Sequence, residues 1–203
     1  GLSAIKSVGK NVVEAIVRER AQNGAYASMD DFVERLGGRE INKRVLENFI
    51  KAGAFDCLPG NRRQKLLIAP ELLDQKSKDR KNVLEGQMTL FDFAGETEKK
   101  QFQITMPDME EFPKNDLLAF EKEILGVYLS GHPMDAYLET WKNSITAKTT
   151  DFMLDEETGK AAVADGARVT IGGMITGKVV KVTKTGQMMA FVTVEDMVGS
   201  VEV

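Results

Sequence analysis

The hydrophobic repeat changes period once along this chain, and that change limits the fold more than any other feature. Through residues 1–80 apolar side chains recur at three- and four-residue spacing, in short runs separated by glycine; from Arg168 onward they alternate with polar residues. The first pattern is that of amphipathic helices and the second that of half-buried antiparallel strands. The chain is therefore expected to be α+β, with helices first and strands last.

The helical part divides at its own punctuation. In "GKNVVEAIVRER", Val12, Val13, Ala15, Ile16 and Val17 form a broad stripe, with Arg18 and Arg20 near the end where the helix dipole favours cations. Ser28 stands three residues before Asp31, a helix-start signature, and Gly37 and Gly38 supply the stop. Asn42 caps a third helix that turns Val45, Leu46, Phe49 and Ile50 inward, with Gly53 past its end. Asn61 opens a fourth at "RRQKLLIA", which Pro70 ends or kinks.

Residues 81–112 are charged and broken by Gly86, Gly95 and Pro107, and read as a tether. Helical spacing resumes in "NDLLAFEKEILGVYLSG" through Tyr128 and closes near Gly131; Pro133 opens a short helix toward Trp141. Residues 113–167 are thus a helical connector. From 168 to 203, turn signals at Thr185 and Gly186 and at Val198 and Gly199 divide three strands, and a glycine bend stands at 172–173. Three strands of this kind are the start of a small barrel of the oligonucleotide-binding type, which needs about two more to close.

The chain has 203 residues, 42% of them hydrophobic, enough for one or two packed domains. Gly1 at the start and the strand-like 201–203 at the end read as cuts from something longer. No run has the length of a membrane span, no secretory leader opens the chain, and the lone Cys57 cannot form an internal disulfide, which suits a reducing cytoplasm. The net charge of −4 is unevenly spread. Residues 1–80 hold 15 Lys/Arg against 11 Asp/Glu, and the remainder 12 against 20, so a basic module is joined to an acidic one.

Two turns carry phosphate-binding chemistry. Lys6, Ser7, Val8, Gly9 and Lys10 form a tight turn into a helix, whose first N–H groups and flanking lysines would face an anion. The second, around Lys51 and Gly53, is followed by Arg62, Arg63 and Lys65 at the next helix start. The sharpest local signal lies in the tether: "QMTLFDF" at 87–93 buries Leu90, Phe91 and Phe93 either against this chain's own helices or on a partner's surface, with the Gln87 amide bonding backbone at the rim. Lys178, Lys181 and Lys184, with Phe191, form a loose cationic and aromatic row on the strands that suits either solvent or a single-stranded nucleic acid.

No catalytic or metal-binding set emerges. Asp30 and Asp31 cap a helix; Glu110 and Glu111, and Asp155 to Glu157, read as solvated connections. One His and one Cys supply neither a zinc site nor a Cys–His pair, and His132 reads as a turn-forming residue.

The first turn resembles a helix–hairpin–helix motif, with Ser7 where that motif carries the first of two glycines. Gln87, Leu90 and Phe91 match the fixed positions of the pentapeptide by which bacterial replication proteins dock on the sliding clamp. The segments "GLSAIKSVG", "NKRVLENFIKAGAFD", "QMTLF" and "FEKEILGVYLSGHPMDAY", and the closing strands, are similar in order to the C-terminal part of the bacterial replicative polymerase family, the DNA polymerase III alpha subunits. The resemblance covers essentially all of the chain.

It implies a tandem helix–hairpin–helix module over duplex DNA at 1–80, touching the backbone through the two turns just named. It further implies a linker at 81–112 whose Gln87, Met88, Thr89, Leu90 and Phe91 bind the beta sliding clamp, a helical connector at 113–167, and incomplete OB-fold strands at 168–203 that would meet single-stranded template. On this reading the chain is a non-catalytic, cytoplasmic part of a DNA-directed DNA polymerase. It has no membrane partner and needs no cofactor of its own, Mg²⁺ being expected only at the parent's polymerase site. Two other readings remain open: a structural connector that packs 87–93 internally, and a helix–hairpin–helix module of a repair ligase or nuclease with no clamp contact.

Overall fold

The computed structural model describes residues 1–37, 40–84 and 104–203. The chain separates into two compact units, Gly1–Ser130 and Gly131–Val203. The expected connector at 113–167 is divided between them.

In the first unit a 3₁₀ turn, η1 (Leu2–Ala4), leads to α1 (Lys10–Asn23), α2 (Met29–Leu36), α3 (Lys43–Lys51), α4 (Arg62–Leu84) and α5 (Lys114–Leu125). The predicted caps form: the Ser28 hydroxyl accepts from the Asp31 N–H at 3.1 Å, and the Asn42 side chain accepts from the Val45 N–H at 3.0 Å. Val45, Leu46, Phe49 and Ile50 are all buried, as the α3 pattern requires. They meet Phe32 and Phe55 in an edge-to-face aromatic cluster, with Phe32 to Phe55 centroids at 4.9 Å and Phe49 to Phe55 at 5.9 Å.

Three expectations for this unit need correction. The stripe on α1 is narrower than predicted, because only Ile16 is fully buried and Val17 is 53% exposed. Helix α4 neither ends nor begins anew at Pro70 but continues to Leu84. Proline costs about 3 kcal/mol inside a helix, and burial of Ile68, Ala69, Leu72 and Leu73 on either side of it, at about 1.5–3 kcal/mol for each large side chain, offsets that. Helix α5 stops at Leu125, where Gly126 takes φ +78, and not near Gly131.

The second unit carries η2 (Asp135–Tyr137), α6 (Leu138–Ser144), η3 (Thr149–Phe152) and an antiparallel sheet in the order β1-β2-β3, formed by β1 (Met174–Val182), β2 (Met188–Glu195) and β3 (Ser200–Glu202). The predicted meander and both turns are present. Gly186 has φ +81 in the first, and the Asp196 carboxylate accepts from the Val198 and Gly199 N–H groups in the second. At the predicted bend, a Cβ on Gly173 would lie 2.5 Å from the Glu195 carbonyl, so only glycine lets the backbones approach there. The sheet is open.

Candidate nucleic-acid interface

The first hairpin gathers Lys6, Ser7, Val8, Gly9 and Lys10 in one exposed turn. Ile5 is buried and Val8 half-buried beneath it. The turn is pinned from both sides: the Lys6 N–H donates to the Ile124 carbonyl at 3.1 Å, and the Asn48 amide donates to the Lys6 carbonyl at 2.6 Å. Ser7 sits at φ +66, the left-handed region that favours glycine. Gly9 is extended at the N-cap of α1, and a Cβ there would meet nothing within 4 Å. The N–H groups of Lys10 and Asn11 have no intrahelical acceptor at this end and face the open side of the turn. Lys10 is tied only to Glu14, at 3.6 Å on an exposed face where such a pair is weak.

The second hairpin has the right backbone but the opposite polarity. Gly53 turns at φ +76, its N–H donates to the Ile50 carbonyl and that of Ala54 to the Phe49 carbonyl, and Phe55 is buried as predicted. Arg62 and Lys65, expected on the DNA side, point inward. The Arg62 guanidinium donates to the Asp56 carboxylate at 2.6 and 2.9 Å, to Glu121 at 3.2 Å and to the Lys51 carbonyl at 3.1 Å. Those bonds, the one to Asp56 first, hold its proton more tightly than in free arginine against the opposing effect of burial. The Lys65 ammonium is 1% exposed and donates to the carbonyls of Phe55 and Leu58 at 2.8 and 2.9 Å; burial pushes its pKa down. Neither cation is available to a phosphate.

The anion position at the start of α4 is also filled. The Arg62 and Arg63 N–H groups donate to the Glu111 carboxylate at 2.8 and 3.1 Å, while Asn61 and Gln64 exchange reciprocal 2.8 Å bonds. Glu111, read from the sequence as a solvated acid, is instead the internal ligand of this helix start. The strand of chain leading to it is fastened by Asn61 to the Met109 carbonyl at 2.8 Å and by Gln64 to the Pro107 carbonyl at 2.7 Å. The Arg63 side chain is exposed and lies 5.7 Å from the Phe112 ring; Lys51 is half-buried, 3.6 Å from Glu123.

Glu121 was not singled out in the sequence. Its carboxylate is fully buried and accepts from the Leu129 and Ser130 N–H groups at 2.7 and 2.9 Å as well as from Arg62. Burial would raise its pKa, but these donors outweigh it and hold the carboxyl below its ordinary value. A signal was present: Glu121 is three residues from both Leu118 and Ile124, on the apolar stripe of α5.

The remaining candidates fall elsewhere. In the second unit the Lys181 ammonium stands 5.0 Å from the Phe191 ring, whereas Lys178, three positions earlier on β1, is on the opposite face and Lys184 is in the turn. The expected row is therefore split. His132 shapes its turn, its Nδ1 accepting from the Met134 N–H at 3.1 Å. Asp155 accepts from the Glu157 and Thr158 N–H groups and closes a turn. Among the described residues there is no cluster of three or more His, Cys, Asp or Glu placed to hold a metal, and no helix long and apolar enough to cross a membrane. The segment 87–91 lies outside the described residues.

A pinned, glycine-containing turn that opens a helix beside exposed lysines defines a class, the helix–hairpin–helix proteins. The motif description for that class matches residues 1–65. Over its whole length the chain is similar to proteins named DNA polymerase III subunit alpha: 35% identical over 203 residues in Borreliella burgdorferi and 36% over 209 residues in Xylella fastidiosa. In Chlamydia trachomatis the likeness is 40% over 137 residues, or 66% of the chain. The chain is thus related to the bacterial DNA polymerase III alpha subunits, and spans about 17% of the length of the relatives that it matches throughout.

Proposed function

We propose that this chain is a non-catalytic part of a bacterial replicative DNA polymerase that holds the duplex backbone through its first hairpin and docks on the sliding clamp through residues 87–91. The observation that carries the reading is the whole-length likeness to polymerase III alpha subunits, joined to a helix–hairpin–helix match over 1–65. Supporting the DNA contact are the exposed Lys6 and Lys10 and the outward N–H groups at the start of α1. Such contacts fix register without reading sequence.

The docking reading rests on Gln87, Leu90 and Phe91 in the spacing of the clamp pentapeptide. Two apolar side chains buried at about 1.5–3 kcal/mol each, with a few hydrogen bonds and less the ordering cost, give roughly micromolar affinity, about −8 kcal/mol. Two weak attachments combine through effective concentration, so a polymerase held at both points stays on its template. The three-stranded sheet, as the beginning of an oligonucleotide-binding barrel, would lie near single-stranded template on the same reading.

Calorimetric titration with purified beta clamp tests the docking half. Replacing Gln87, Leu90 and Phe91 together with Ala should abolish clamp binding and leave duplex binding intact. Unchanged clamp affinity in that variant would refute the docking assignment, and equal duplex affinity after Lys6→Ala and Lys10→Ala would refute the first-hairpin contact.

A further inference from the structure

Repeat symmetry places the second phosphate contact at the second hairpin, but that position is taken: Glu111 occupies the start of α4, and Arg62 and Lys65 are buried. A different surface of the same unit has what the second hairpin lacks. Between the first hairpin and α3 lies a cleft of about 450 Å³, walled by Lys6, Lys43, Arg44 and Lys51 against the carboxylates of Glu47 and Glu123. Four cations thus face two acids. Lys43 reaches Glu47 only at 3.9 Å with 65% of its side chain exposed, and among the described residues Lys6 and Arg44 are in no ion pair. One wall is rigid, because Asn48 of α3 holds the Lys6 carbonyl at 2.6 Å and so fixes the first hairpin to α3.

The placement of two of these cations is itself informative. Lys43 and Arg44 are the first two residues of α3, where the helix dipole disfavours positive charge and Asp or Glu would be stabilising. An element that keeps cations where its own stability opposes them is behaving as functional sites do. The cleft opens beside Lys6, so a strand gripped at the first hairpin would run on into it.

Resting on the duplex-binding reading above, we propose that the second backbone-phosphate contact of this unit is made by the cleft of Lys6, Lys43, Arg44 and Lys51, in place of the second hairpin. The ligand is a phosphodiester of duplex DNA adjacent to the one held at Gly9 and Lys10.

The test is fluorescence anisotropy of the 203-residue chain with labelled duplexes of two unrelated sequences, and with a single strand of the same length, over a range of salt. The double variant Lys43→Ala, Arg44→Ala should bind both duplexes more weakly to the same degree and lower the slope of log K against log salt by about 2, one for each lost phosphate contact. Its helix CD melt should be unchanged or shifted upward, since removing cations from the start of α3 relieves the dipole. Arg63→Ala should leave the slope as it is. A double variant with the parental slope, or a slope that falls only in Arg63→Ala, overturns the cleft assignment while leaving the first-hairpin contact standing. Preference for the single strand that Lys43→Ala, Arg44→Ala abolishes would overturn the duplex assignment alone. Absence of salt-dependent binding in the parent chain removes both readings together.

Discussion

Glu121 offers the most direct test of how the second hairpin is held. Glu121→Gln keeps the size and shape of the side chain and removes its charge. In the folded chain that carboxylate is fully buried and accepts four bonds: the Leu129 and Ser130 N–H groups at 2.7 and 2.9 Å, and two Arg62 nitrogens at 3.2 Å each. An amide can still accept from the two N–H groups through its oxygen, but its NH₂ then faces the guanidinium, donor against donor. Removing one partner of a buried ion pair costs about 3–5 kcal/mol when the other is left alone. Here Arg62 retains Asp56 at 2.6 Å, so the expected loss is smaller, about 2–3 kcal/mol. With a urea dependence of about 1–3 kcal/mol per molar, the unfolding midpoint should fall by about 1 M or more. Trp141, the sole tryptophan, belongs to the second unit, so helix CD is the signal to follow and not fluorescence. The pH dependence supplies a second check. The folded pKa of Glu121 lies below its ordinary 4.5, so its contribution is fully present above pH 4.5 and is lost as pH falls through the folded value. The gap between parent and variant should therefore be widest near neutrality and close in acid. Equal midpoints at pH 7, or a gap undiminished in acid, would refute the assignment of a buried, charged Glu121.

Two further substitutions probe the turns. Ser7→Gly relieves a left-handed serine, worth about 1–2 kcal/mol, against about 0.4–1 kcal/mol of added freedom in the unfolded chain, so the midpoint should rise slightly; a fall would show that the Ser7 side chain supports the turn. Gly53→Ala and Gly126→Ala form a matched pair at φ +76 and φ +78. A Cβ on Gly53 overlaps Arg62 Nη2 and comes within 2.8 Å of Asp56 Oδ2, whereas one on Gly126 meets nothing. The first should cost about 3 kcal/mol and the second about 1 kcal/mol in urea unfolding, and equal costs would mean that backbone strain alone governs both.

What could be read from the sequence was what depends on neighbours in the chain. The Ser28 and Asn42 caps, the buried face of α3, the turn at Gly53 and the meander with its two turns rest on spacings of four residues or fewer, and each formed where expected. What could not be read depends on distant partners. Glu111 meets Arg62 and Arg63 across 49 and 48 positions and Glu121 meets Arg62 across 59, so nothing local marks those acids as internal ligands. Lys65 follows the same rule in reverse: as the fourth residue of a helix rich in cations it looked solvent-facing, and only the return of the Phe55 to Leu58 carbonyls over it makes it a core residue. The end of α5 was missed for a related reason, since Gly126 was outweighed in the pattern by the apolar residues after it.

The two hairpins also show why a backbone device is not a function in itself. Each ends a loop at a helix start and so presents donors with positive character. At α1 nothing in the described chain supplies an acceptor to Lys10 and Asn11, and the flanking lysines are exposed, so the site suits an external anion. At α4 the chain supplies its own carboxylate, backed by a capping box, and the neighbouring cations are consumed by Asp56, Glu121 and backbone carbonyls. A phosphate arriving there would have to displace Glu111 and would gain only the exposed side chain of Arg63. The second hairpin therefore acts as the joint that binds α3, α4 and α5 into one body. On the proposed reading, that body holds duplex through few phosphates, so its grip is weak and salt-sensitive, and a second attachment at the clamp is what would convert it into lasting residence.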